Sequence, residues 1–173
     1  LPIVTNYGDD FANKRIQEPA ELVLRPKYQI LKLIRAFIEA NFNEAFSRNN
    51  NYKAFDQKLL DRLKAKDRTF CNAYSLFIGE LLADHWEERQ ISANKVYHLG
   101  ESHCLSYAHR NITIDGSMFQ IVPRLTFGAK AFHFSDVKEN SFKAMTKAHL
   151  EALPLHSKVF ISLSEISPIS FNA

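Results

Sequence analysis

The stretch KVYHLGESHCLSYAHRN constrains this chain more than any other. Its apolar run, residues 96–99, breaks at Gly100 and passes at once into Glu101, Ser102 and His103. A short apolar run closed by glycine reads as a buried strand, and the residues after the glycine read as a helix begun at the serine. In open α/β sheets ligands bind in the crevice beyond the carboxyl ends of the strands, so a hydroxyl held at such a turn is a candidate nucleophile. Serine is also a preferred helix N-cap, which leaves a purely structural turn open.

On either side of this stretch the patterning differs. Residues 1–94 read as a helical region. Pro2, Gly8, Pro19 and Pro26 mark an irregular lead-in, with a short helical turn near residues 11–16. Pro26 suits a first helical position, and Tyr28, Leu31, Ile34, Phe37, Ile38 and Phe42 follow at helical spacing, ending near the polar cluster 48–51. Phe55, Leu59, Leu60 and Leu63 suggest a second helix. A third runs through Phe70, Tyr74, Phe77, Ile78, Leu81, Leu82 and Trp86.

Residues 95–173 read as an α/β layer. Strands are expected at 96–99, at 119–122 with an extension past Pro123 to 127, and at 158–163. Residues 111–116 form a turn or short strand. One helix continues from the serine turn to about His109, and another covers about 137–153, with Phe142, Met145, His149 and Leu153 on one face. Strands separated by helical patterns argue βαβ units, parallel pairing and right-handed crossovers. Three short strands make a narrow sheet, so either the helical region shields the remaining surface or, the favoured expectation, more chain belongs to this domain.

Composition removes several function classes. Of 173 residues, 46% are apolar and 24% charged, the balance of an ordinary globular protein. Net charge is only +3, and the basic residues between Lys53 and Arg68 alternate with Asp56, Asp61 and Asp67. That is a solvated helix face, not a phosphate-binding stripe, and no nucleic-acid partner is expected. Lys32, Arg35 and Glu39 interrupt the most apolar helix, and no run reaches the ~20 apolar residues of a membrane span. Cys71 and Cys104 lie in no C-x-x-C pair, and no His-x-His or His-Glu-x-x-His appears. Neither a disulfide scaffold, nor a metal, nor a cofactor is expected, and the cytoplasm is the expected location.

Several side chains near the serine invite roles. Adjacent residues on a helix do not face one another, so His103 suits a polar pocket wall better than a base for Ser102. Glu101 adds negative charge beside the serine. His98 reads either as a satisfied core imidazole or as a pocket residue. His109 stands about two helical turns away. Arg124 fits a substrate carboxylate or sugar, or plain surface exposure.

At these positions the chain resembles the SGNH hydrolases, the GDSL-like esterases and lipases. HLGESHCLSY is similar to their first block in the Gly-Asp-Ser-His variant, with Glu101 in place of the usual aspartate. RLTFGAKAFHF puts Gly128 at the second block, and VFISLSEIS resembles a third-block variant, Gly-Glu-Ile-Asp. That variant occurs in bacterial proteins whose hydrolase-like domain follows a helical region. Glu165 is retained, while Ser164 and Ser167 replace the glycine and aspartate. The resemblance covers roughly residues 95–166.

It implies a truncated or divergent member: an α-helical region followed by a partial three-layer, flavodoxin-like sheet over 95–173. It further implies Ser102 as nucleophile and the Gly128 N–H as oxyanion donor; with Glu165 of the third block, His103 and Arg124 make up the expected substrate contacts. The expected activity is a serine hydrolase that takes a small ester or acetylated substrate through a Ser102 acyl intermediate. The family's Asp-x-x-His pair does not follow Glu165 in this sequence. The alternative is therefore a noncatalytic, SGNH-like protein-binding or scaffold module. The helical region then either caps the cleft or binds another protein.

Overall fold

The computed structural model describes residues 18–84, 92–135 and 137–163. These fall into two compact units, one holding the helices up to Ala83 and the other the strands from Lys95 onward. No helix among the described residues is long and apolar enough to cross a membrane.

In the helical unit α1 spans Glu18–Ile38, α2 Phe42–Lys53, α3 Gln57–Leu60 and α4 Ala65–Ala83. Ile30, Leu33, Ile34 and Phe37 recur on one face of α1 and are almost completely buried, against α2 and α4. Each such side chain contributes about 1.5–3 kcal/mol by leaving water. From α2 come Ala45 and Tyr52, and from α4 Cys71, Ile78 and Leu82. Burial pushes the Cys71 thiol up to about 11 and the Tyr52 phenol to about 12. Polar groups between α2 and α4 pair with each other: Ser75 Oγ donates to Asn49 Oδ1 at 2.6 Å, and Tyr52 to Asn72 at 2.5 Å.

Two sequence expectations for this unit are corrected. Pro26 does not start a helix. It lies inside α1 and is buried, so the stretch from Glu18 is helical and not an irregular lead-in. Nor does the first helix run on to residues 48–51. It stops at Ile38, where Ala40 adopts φ 58°, and the Asn41 side chain then caps α2 by accepting from the Glu44 N–H. Residues 11–16 and Trp86 lie outside the described residues.

The second unit is an α/β sheet of four strands in the order β2-β3-β1-β4. β1 is Lys95–Gly100, β2 Asn111–Ile114, β3 Ser117–Leu125 and β4 Lys158–Ser162. β1 pairs in parallel with β3 on one side, Gly100 opposite Leu125, and with β4 on the other, Gly100 opposite Ser162. β2 pairs antiparallel with β3, so the sheet is mixed where an all-parallel one was expected. The cause is local. Asp115 and Gly116 take φ 50° and 74°, both central residues of a two-residue turn left-handed, which folds residues 111–125 into a hairpin.

The helix expected at the serine is a 3-10 turn, Ser102–Tyr107, and α5 is the four-residue Phe132–Ser135. α6 covers Ser141–Glu151, shorter than the expected 137–153, because Asn140 Oδ1 accepts the N–H groups of Phe142 and Lys143 and fixes its start. Val96, Leu99, Ile121, Leu125, Cys104 and Leu105 form the buried centre of this unit.

Candidate functional site

Strand order places the site. From β1 the chain reaches β3 on one side, and from β3 it crosses to β4 on the other. The connections from β1 and β3 therefore run in opposite directions along the sheet, the topological arrangement at which open α/β sheets place their ligand crevice. Glu101 and Ser102 follow the end of β1, and Thr126 to Gly128 follow the end of its parallel neighbour β3.

Ser102 opens the 3-10 turn directly after β1 and is partly buried. Glu101, in extended backbone, occupies the N-cap position, so Ser102 is not the residue that caps the turn. The Cys104 N–H donates to the Glu101 carbonyl at 2.9 Å and closes the first turn. Beyond the last paired residues, the Thr126 N–H donates to the Gly100 carbonyl at 2.7 Å, which ties the end of β3 to the end of β1. Gly128 follows in an exposed turn with φ 66°, a conformation that favours glycine. Its α-carbon faces the Phe142 ring, which an added Cβ would meet at 3.9 Å.

Glu101 is nearly buried, yet its Oε1 lies 3.3 Å from His103 Nε2, whose side chain is 74% exposed. Its charge is therefore directed at His103, and His103 projects outward as a polar rim. Arg124 is held differently. Its guanidinium sits 5.0 Å from the centre of the Tyr97 ring and bonds the Pro123 carbonyl, and burial lowers its pKa. A cation over an aromatic face accounts for that placement, and simple surface exposure is ruled out. Glu165, Ser164 and Ser167 lie outside the described residues.

Four imidazoles have partners other than Ser102. His98 Nε2 is 2.8 Å from Ser162 Oγ, and His103 pairs with Glu101. His133 Nδ1 accepts the Lys130 N–H at 3.0 Å while its ring stacks on Phe142 at 3.8 Å. His149 Nε2 is 3.1 Å from the Leu125 carbonyl, which pins α6 to the end of β3. Burial holds both His98 and His149 below the usual histidine range. His98 is thus a paired imidazole close to the strand ends. Sequence reading left its role open and missed Ser162 and His133 altogether.

Gly100 explains how His98 and Ser162 meet. A Cβ there would lie 2.5 Å from the Ser162 carbonyl and 2.6 Å from Ser162 Oγ, so only glycine leaves room for that hydroxyl. Among the described residues no cluster of three or more His, Cys, Asp or Glu is placed to hold a metal ion. No family model, curated protein or solved structure matches the chain.

Proposed function

We propose that the chain is a serine hydrolase acting on an ester or acetyl group, with Ser102 carrying the acyl group as a covalent intermediate. The observation that carries this reading is the position of Ser102, at the start of the 3-10 turn and two residues past the end of β1, a strand flanked by two parallel neighbours. Its Oγ attacks the substrate carbonyl. The N–H groups of Ser102 and Gly128 receive the negative charge that develops on the carbonyl oxygen, and the alcohol leaves. Water then releases the acid. His103, exposed and paired with the nearly buried Glu101, contacts polar parts of the substrate, as do Arg124 and Glu165 in this reading. In SGNH hydrolases the base is a histidine after the third block, and residues 166–173 of this sequence hold no histidine to match it.

A fluorophosphonate probe tests the proposal. Label mapped to Ser102 and lost in Ser102→Ala is expected, and a folded protein that carries no label on Ser102 contradicts it. A second reading, a noncatalytic SGNH-like binding module whose partner docks on the helical region, is favoured by one observation: four imidazoles have partners other than Ser102. A folded wild type that takes no label supports this second reading.

A further inference from the structure

A second hydroxyl at the same sheet edge is better equipped than Ser102. In register, His98 and Gly100 on β1 and Phe160 and Ser162 on β4 point to one face, because alternate residues of paired parallel strands share a side. Ser162 leans across the space left by Gly100, and its Oγ comes to 2.8 Å from His98 Nε2. Hydrogen-bond contact between a hydroxyl and an imidazole is the geometry of an activated serine. The imidazole is itself held in place. The Tyr107 ring lies 5.8 Å from it on one side, and the Phe160 ring meets it edge-on at 6.4 Å.

Those two aromatics also shape what the couple can take. Tyr107 and Phe160 are 56% and 46% exposed although the histidine between them is buried. A partly buried hydroxyl flanked by half-exposed aromatic faces, with one polar couple between them, suits an uncharged ester with a short acyl or aryl group. Burial keeps the His98 imidazole below its usual range, hence unprotonated and able to accept a proton near neutral pH. Titratable side chains around this face include Tyr107 against His98, Cys104 beside Gly100, and Lys158 two residues before Phe160 on β4. Lys158 is paired with Asp115, and the Cys104 thiol is pushed up to about 12.

We propose that Ser162 and His98 form a second nucleophile–base couple, independent of Ser102, that accepts the acyl group of a small apolar ester. Ser162 Oγ bonds to the carbonyl carbon as its proton passes to Nε2 of the Nδ1–H tautomer of His98. The carbon–alkoxy bond breaks, and the leaving alkoxide takes that proton. Water attacks in turn, with His98 again as base, and regenerates the hydroxyl.

The test is fluorophosphonate labelling followed by peptide mapping of the modified serine. The phosphorus–fluorine bond is replaced by a bond to Oγ and fluoride leaves, so the label marks the attacking oxygen. Label on Ser162 is expected, retained in Ser102→Ala and lost in Ser162→Ala. The rate of Ser162 labelling in the wild type should fall as pH drops below the His98 pKa, a dependence that a merely structural hydrogen bond would not give. His98→Gln should cut the rate at least about tenfold in protein with an unchanged circular dichroism spectrum. Should His98→Gln fail to fold, the wild-type pH profile decides alone. Label on Ser102 only overturns this couple while supporting the Ser102 reading. Label on neither, in folded protein, overturns both.

Discussion

Gly100 does two jobs at the residue scale: it ends the central strand, and it leaves the space that the Ser162 hydroxyl fills. Gly100→Ala should therefore cost about 1–3 kcal/mol, since the new methyl meets a backbone carbonyl that moves only with β4. Urea denaturation measures this, and an unchanged midpoint would contradict the close approach. Ala40 is the opposite case. It is left-handed, with the Asn41 N–H bonded to the Ala36 carbonyl and its own N–H to the Phe37 carbonyl, the two bonds of a Schellman helix end. Ala40→Gly should stabilise the protein by about 1 kcal/mol, read as a higher urea midpoint. These positions also mark how legible single residues were. Gly100 and Ser102 announced a strand end and a turn. Alanine gave no warning of a helix end at residue 40, and no local pattern could pair His98 with a serine sixty-four residues away, because that contact exists only once strand register is fixed.

At the scale of elements, periodicity was informative wherever one face is buried. The apolar positions of α1 and α4 were readable because their helical spacing matches the faces that pack. β1 was readable because it is central and buried on both faces. β2 was not resolved as a strand: it is four residues long, alternates between exposed and half-buried positions, and exists through its hairpin turn. The serine turn was expected to be α-helical and is a 3-10 segment ended by the left-handed backbone of His109. Asn140 shows how a cap overrides periodicity, setting the start of α6 at Ser141 although residues from 137 were expected to be helical. Asn140→Ala should cost about 1 kcal/mol, because two backbone N–H groups of the first turn lose their acceptor. A fall in melting temperature of a few degrees would register it, and no fall would contradict the capping role.

Across the whole molecule, stability should depend on pH in a direction set by its buried imidazoles. His98 and His149 are 7% and 5% exposed, and burial holds both below the unfolded value of about 6.5. The unfolded chain therefore binds protons before the folded one does. The stabilisation is complete above the unfolded pKa and is lost as pH falls through the folded values. Melting temperature should drop between about pH 7.5 and about pH 5, and a smaller drop is expected in His149→Gln. A flat profile would contradict the neutral, buried state of these rings.

The same scale is where the functional reading stands or falls. The division of the chain into a helical and an α/β part was visible in the change of period near Lys95, whereas the strand order that sends the connections from β1 and β3 in opposite directions was not. Hydrolysis of an aryl acetate by Ser162→Ala, which lacks the second couple, and by the Ser102→Ala/Ser162→Ala double variant tests that reading most directly. Ser162→Ala should turn the ester over, and the double variant should lose about a hundredfold or more of that rate at unchanged stability. Equal rates in the two proteins would contradict Ser102 as the nucleophile, and no turnover by either would remove the Ser102 hydrolase assignment.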